Sequence, residues 1–574
     1  LFSWAYSPQT ADDCDIATQP RDKIWVTLTL PNFKKNDCLR PTAISTGLIP
    51  RRLIYSKPLL DVKFDCPAIH PATSALDPKA YQMSDQCPHG HPLSRREFLA
   101  SNAFGIGSFA LASLLNEAGL LAAPPTKPID HQAADLRPRA PHMVPQATAM
   151  ISLFMHGGPA HMDLLDPKPE LTKHHGQEYN GEVVYSFVNR ANKKLLGTPY
   201  KFEKRGECGT EISELLPNIA GIADDICVMR SMHTGHNGHE VSIRYFHGGI
   251  PAVTGRPTMG SWITYGLGSE SQNLPAYLVL ADPGGHPVDG THNWASGFMP
   301  PLFQGTVLRA QEPRIFNLDP PPHLKGPLQK RNLQFLTQLN RRHLDQHPGE
   351  SDLEARIASY ELAAAMQTAA TEALDLSQEP LHIQKMYGLD QPATKEYGTR
   401  CLIARRLVER GVRFVQLFLG GQPWDNHTNL KKGLPEICQR TDQPAAALVK
   451  DLKQRGMLDS TLVHWGGEIG RLPVCEGTLD DTCGRDHNGQ GFSIWMAGGG
   501  IRGGMTYGET DEVGHRAAVN VVNPNDYQAT VFRLLGLDHS KLVYQFNGRE
   551  QQITDGRPAR IVEEILKSSV AKAT

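Results

Sequence analysis

The sequence of 574 residues has little charge imbalance, no Cys-x-x-Cys pair and no internal repeat. A formal net charge of -2, with no basic tail, removes the electrostatic footprint that nucleic-acid binding requires. Ten cysteines without a close pair exclude a zinc knuckle and a thioredoxin-type motif. No Gly-x-Ser-x-Gly elbow follows an apolar strand, so a serine-hydrolase reading lacks its anchor. Long apolar runs are missing too. The stretch 103–121 is interrupted by Gly105, Gly107, Ser108, Asn116 and Glu117, and no stable membrane span is expected from it. At 40% hydrophobic and 21% charged residues, the composition is that of a globular protein.

The N-terminal part carries an address. Ser94-Arg95-Arg96-Glu97-Phe98-Leu99 has paired arginines with an apolar residue two places on. A mild apolar stretch follows, then Leu121-Ala122-Ala123 offers small residues for cleavage ahead of Pro124-Pro125. Basic, apolar and small regions in that order form a secretory signal of the twin-arginine type over 94–123. The expected partner is therefore the twin-arginine (Tat) export machinery, and the expected location is periplasmic or extracellular. Residues 1–82, rich in Pro, Asp and Thr, read as an over-extended start or a disordered leader. Residues 83–125 form the signal region, and 126–574 a single α/β domain with loop and helical insertions.

Short apolar runs then alternate with helical patterns. Strands are expected over 149–154, 226–229, 276–280, 413–419, 461–465 and 492–496, and helices over 352–374, 399–410, 441–455 and 526–535. Gly411 and Gly456 stand where a helix stop is expected. The alternation implies a mostly parallel sheet with helices on both faces.

Ligands of such sheets gather beyond the carboxyl ends of the strands. The residues found there are His156, His161 and Asp163; His233, His236 and His239; Trp424, Asp425 and His427; Glu468 and Arg471; and Arg485, Asp486 and His487. Imidazoles and carboxylates without paired thiolates suit one or two divalent metal ions, Zn²⁺, Mn²⁺, Mg²⁺, Ca²⁺ or iron. The expected ligands are His156, Asp163, His233, His236, Asp425, His427, Glu468, Asp486 and His487. Two ions roughly 4 Å apart can bind an anionic ester and neutralise its leaving oxygen. Arg471 or Arg485 can hold the remaining oxygens through a planar fork. Each cluster also has a plainer reading: a polar turn at Asp425, a loop ion pair between Glu468 and Arg471, flexible glycine-rich turns at the histidines. Cys475 and Cys483 flank one loop and can be bridged in an oxidising compartment. His515 and His539 lack a strand-end context and read as solvent-facing or structural.

Five strings together, Leu153 to Asp163, Pro257 to Trp262, Trp424-Asp425-Asn426-His427, Gly467 to Arg471 and Gly484 to His487, resemble an uncharacterised family of Tat-exported bacterial proteins labelled sulfatase-like or of unknown function. The resemblance runs from about residue 90 to 568 and extends to Leu534–His539 and Asn547-Gly548-Arg549. That family is placed in the alkaline-phosphatase superfamily, which implies a three-layer α/β/α sandwich with metals at the strand ends. By the same resemblance Asp425 and His427 correspond to the superfamily's Asp-and-His group, Glu468 to its next acid and His487 to its late histidine. The first strand ends in His156 instead of an acid, leaving Asp163 as a displaced substitute. No Cys-x-Pro-x-Arg nucleophile is present, so formylglycine chemistry has no support. Ser231 or Thr234 is left as the candidate hydroxyl. The implied activity is hydrolysis of a phosphate or sulfate ester, for instance on a carbohydrate. The alternative is a non-catalytic, metal-stabilised binding or scaffold protein of the envelope.

Overall fold

In the computed structural model residues 135–186 and 192–568 are described, apart from 317, 319–320, 325 and 348–349. The expected leader and the expected twin-arginine signal lie outside the described residues. No helix among the described residues is long and apolar enough to cross a membrane.

Eight strands form the central sheet: β1 (Ala149–Phe154), β2 (Ile226–Met232), β3 (Tyr277–Leu280), β4 (Thr306–Leu308), β5 (Phe414–Phe418), β6 (Thr461–Gly466), β7 (Phe492–Ala497) and β8 (Met505–Tyr507). Their order across the sheet is β8-β2-β7-β6-β1-β5-β3-β4. Only β7 runs against its neighbours, so the sheet is mostly parallel, as the alternation implied.

The helices are α1 (His239–Gly248), α2 (Met259–Leu267), α3 (Pro327–Gln346), α4 (Ser351–Leu374), α5 (Lys395–Val408), α6 (Leu430–Gln454) and α7 (Pro524–Leu534). Side chains alternate across a strand, and β1 shows the consequence. Ala149, Ile151 and Leu153 enter an apolar cluster with Cys401, Leu402 and Leu407 of α5 and Leu434, Leu448 and Leu452 of α6. Met150 and Phe154 enter a second one with Phe246 of α1, Trp262 of α2 and Phe532 of α7. Two cores on opposite faces of one sheet make the fold the expected three-layer α/β/α sandwich. Every β1 residue is buried on both faces, which is why it reads as a continuous apolar run.

Register decides what meets at the rim. Phe154, the last residue of β1, pairs with Phe418 of β5 and Gly466 of β6, so three strands end level. Antiparallel β7 begins at that end, where Phe492 pairs with Met232, the last residue of β2. The loops after β1, β2, β5 and β6 and the loop before β7 therefore leave from one edge.

Several expected boundaries shift. β2 continues past Met229 to Met232, which places Ser231 within a strand and not at a helix start. α6 begins at Leu430, well before the expected 441, despite Pro435 and Pro444 inside it. Its buried stripe of Leu430, Leu434, Ile437 and Cys438 packs against the core, and that burial outweighs the proline penalty. α7 starts at Pro524, held by a capping box between Asn523 and Asp526.

Candidate metal centre

The loop after β1 turns on two glycines with left-handed backbone, Gly157 at φ +104 and Gly158 at φ +78. A Cβ on Gly157 would meet the Asp425 nitrogen at 2.6 Å, and one on Gly158 the Ile469 oxygen at 2.7 Å. Glycine is required here because three strand-end loops press together. Gly157 N–H donates to Glu468 Oε1 at 3.0 Å, and Arg471 donates through Nε to the Gly158 carbonyl at 2.9 Å.

Three imidazoles converge on Asp425 from different loops. His239, first residue of α1, has Nε2 3.4 Å from Asp425 Oδ2 and Nδ1 2.6 Å from Glu468 Oε1. His427, after β5, has Nε2 3.0 Å from Asp425 Oδ1 and Nδ1 2.5 Å from Glu476 Oε2. His487, before β7, has Nε2 3.1 Å from Asp425 Oδ1 and Nδ1 2.9 Å from Ser186 Oγ. Each ring thus engages an outer partner through Nδ1 and turns Nε2 toward one carboxylate. The His427 and His487 Nε2 atoms lie 2.9 Å apart. Asp486 sits against the same group, its Oδ1 3.8 Å from His427 Nδ1 and its carboxylate accepting from the Ser186 and His487 backbone N–H groups at 2.6 and 2.7 Å.

The electrostatics follow from those contacts. Burial works against charge on Asp425, yet hydrogen bonds from His239, His427 and His487 hold its carboxyl well below the usual carboxylate range. Burial alone would lower His239, but its bonds to Asp425 and Glu468 raise it to about 9. In His427, Asp425 and Glu476 overcome burial in the same way and raise the ring to about 9. His487, where burial prevails, is lowered.

These donors fit a divalent cation. His239, Asp425 and His487 place ligand atoms within 4.8 Å of one another, and so do His427, Asp486 and His487. Glu468 Oε2 is fully buried and has no hydrogen-bond partner, a cost usually avoided unless something else occupies the space. Carboxylate and imidazole donors suit Zn²⁺ or Mn²⁺.

Five of the nine expected ligands, Asp425, His427, Glu468, Asp486 and His487, are brought together. Four are not. His156 is fully buried with its ring against Phe154 at 4.7 Å and Phe418 at 5.1 Å, and burial lowers it to about 4 against the opposing influence of Glu468 and Asn293. Asp163 forms a two-pronged pair with Arg485, at 2.8 and 3.1 Å, both side chains wholly buried. His233 is half-buried, and His236 is exposed with its ring 6.4 Å from Tyr245.

The hydroxyls and guanidinium groups expected to act on substrate are committed elsewhere. Ser231 Oγ donates to the Asn520 carbonyl at 2.6 Å, and Thr234 Oγ1 to the His236 carbonyl at 3.1 Å. Arg471 is buried, pairs with Asp425 and donates to the Gly157, Gly158 and Arg485 carbonyls. Arg485 binds Asp163 and the Leu472 carbonyl. Both arginines tie loops together, and removing one partner of a buried pair of this kind costs about 3–5 kcal/mol.

Three contributors, His239, Glu476 and Ser186, were not among the expected ligands or catalytic groups. His239 belongs to the string singled out after β2, but only the start of α1 at that residue turns it inward. Glu476 is a lone acid beside Cys475 with no motif to mark it. Cys475 and Cys483 are bridged, with Cα atoms 6.0 Å apart.

A family profile described as "Protein of unknown function (DUF1501)" matches residues 147–566. No curated protein matches the chain. Among solved structures, the PsFucS1 sulfatase from Pseudoalteromonas sp. is 13% identical over 56% of this chain, with a TM-score of 0.28, and the chain spans 62% of that sulfatase's length. The lipoteichoic acid synthase LtaP from Listeria monocytogenes is 9% identical over 77% of this chain and 80% of its own, with a TM-score of 0.30. The alkaline phosphatase from the Antarctic bacterium TAB5 is 10% identical over 66% of this chain and 97% of its own, with a TM-score of 0.25.

Proposed function

The chain belongs to the family of proteins of unknown function designated DUF1501, and from that footing we propose that it is an exported, metal-dependent hydrolase of phosphate or sulfate esters. One observation carries the reading: His239, His427 and His487 each engage a partner through Nδ1 and present Nε2 to Asp425. Metal-binding histidines are commonly held in this way by an outer carboxylate or hydroxyl, which sets the tautomer and the ring orientation. A divalent cation bound there supplies positive charge for the ester's non-bridging oxygens and lowers the pKa of a bound water.

The protein's own residues divide the remaining work. Asp425, His239, His427, Asp486 and His487 would hold the cation. Glu468, Glu476 and Ser186 orient the three rings. Arg471 and Arg485 fix the loops that carry them. The substrate class is an anionic ester, of the kind found on sulfated or phosphorylated carbohydrates. A twin-arginine signal would deliver the folded domain outside the cytoplasm, and the Cys475–Cys483 bridge suits that oxidising setting.

The test is hydrolysis of aryl phosphate and aryl sulfate by the full chain supplied with Zn²⁺ or Mn²⁺. Asp425→Ala and His487→Ala are expected to lower turnover by about 100-fold or more with the fold retained by circular dichroism. A parent protein that takes up neither cation and hydrolyses neither ester sinks the reading. A second reading, a metal-stabilised binding or scaffold protein, rests on the commitment of Ser231, Thr234, Arg471 and Arg485 to protein partners. Cation uptake without turnover of either ester is its signature.

A further inference from the structure

Glu476 has no place in the sequence reading, and the bridge beside it has none in the expected site, yet both lie against the centre. Glu476 is buried, and its Oε2 accepts from His427 Nδ1 at 2.5 Å. Cys475 precedes it and is bridged to Cys483, which is followed by Gly484, Arg485, Asp486 and His487. The segment between the two cysteines is exposed from Thr478 to Thr482 except for half-buried Leu479, whereas its base is buried.

Backbone bonds tie that base to the segment bearing His427. Glu476 N–H donates to the Gly484 carbonyl at 2.9 Å, Leu430 N–H to the Cys483 carbonyl at 3.1 Å and Arg485 N–H to the Asn426 carbonyl at 3.0 Å. A Cβ on Gly484 would sit 2.2 Å from the His427 carbonyl carbon, so the two segments touch without room for a side chain. The bridge closes the loop one residue from the acid and one residue from the Gly484-to-His487 strip. It therefore restrains both the outer partner of His427 and the strip that ends in His487.

We propose that Glu476 is the positioning residue of the cation site and that the Cys475–Cys483 bridge is its mount, so that high-affinity cation binding requires the oxidised loop. This rests on the metal reading above and adds its regulation. The carboxylate of Glu476 keeps the His427 proton on Nδ1 and leaves Nε2 as the donor toward the cation. When a phosphine reductant opens the loop, the S–S bond breaks, two thiols form with protons from water, and the phosphine takes up the oxygen. Glu476 then loses its nearest covalent restraint, and the ring it orients gains freedom.

The experiment titrates the full chain with Mn²⁺, following free ion by electron paramagnetic resonance and the bound ion by its line shape. Relative to the parent, Glu476→Ala is expected to bind Mn²⁺ about 10- to 100-fold more weakly. Glu476→Gln, which keeps an acceptor oxygen, should recover part of that loss. The double variant Cys475→Ala/Cys483→Ala and the phosphine-treated parent should fall between parent and Glu476→Ala, with an altered line shape. If Glu476→Ala does not fold, the Gln variant of equal size takes its place and must bind more weakly than the parent. Parent-like affinity in Glu476→Ala, or in the cysteine double variant, overturns the inference while the metal reading stands. A parent that binds no Mn²⁺ or Zn²⁺ overturns both.

Discussion

His239 and His247 stand two turns apart on α1 and live in opposite surroundings. His239, with His427, is wrapped in carboxylates and raised to about 9. His247 faces Phe154 at a ring distance of 4.5 Å, near His156 and His464; burial lowers it to about 3. His464 lies in β6 on the same face, its Nδ1 3.2 Å from Ser152 Oγ, and burial lowers it to about 3 as well. The residue type is one; the neighbours differ. Carboxylates make an imidazole a cation or, once its proton is displaced, a metal ligand. An aromatic shell makes it a neutral packing group with a latent proton site.

The comparison breaks most visibly at the two ends of α1. His239→Leu is expected to weaken Mn²⁺ binding by more than about 100-fold, beyond what loss of an outer partner costs. His247→Leu should leave it unchanged, as isothermal titration would show. Equal losses in both variants would erase the distinction between the two groups.

Stability against pH sharpens it next. An unfolded histidine takes a proton near pH 6.5, but His247 and His464 refuse it in the fold until about 3. Stability should therefore fall as the pH drops below about 6.5, by about 1.4 kcal/mol per pH unit for each of the two. His239 and His427, raised to about 9, act in reverse: the stability they contribute is complete below about 6.5 and fades as the pH climbs through 9. Melting temperature of the metal-free protein should peak near pH 6.5. A double variant His247→Leu/His464→Leu should flatten the acid limb alone.

The smallest effect is expected at His156. His156 packs its ring among Phe154 and Phe418, and His156→Leu nearly conserves volume while removing only the ring's influence on Asn293 and Glu468. Its stability should change by less than about 1.5 kcal/mol, with cation binding intact. A loss of binding on the scale of the His239 variant would return His156 to the centre.

Much of this was legible beforehand. β1, β5, β6 and β7 announce themselves because strands buried on both faces need unbroken apolar runs, and the polar clusters beside their ends fall on one rim of the sheet. That rule singled out Asp425, His427, Glu468, Asp486 and His487, which the fold brings near one another. His156 obeyed it too, yet ended in an aromatic nest, because a position after a strand says nothing about which way the ring turns. Arg471 and Arg485 have the right chemistry for an anion, but their forks are filled by carbonyls and by Asp425 and Asp163. Glu476 carried no signal, since an acid in a loop is ordinary until its partner is known.

Residue order by itself determined the layered sheet, the edge at which chemistry gathers and the stock of imidazoles and carboxylates, because periodicity and burial are local properties of the chain. Only tertiary packing decided which of those groups share a centre. The level ends of β1, β5 and β6 and the reversed entry of β7 bring together residues up to 248 positions apart, from His239 to His487, within 4.8 Å. Proton affinity follows from such distances, and distance across a fold is not written in any one segment.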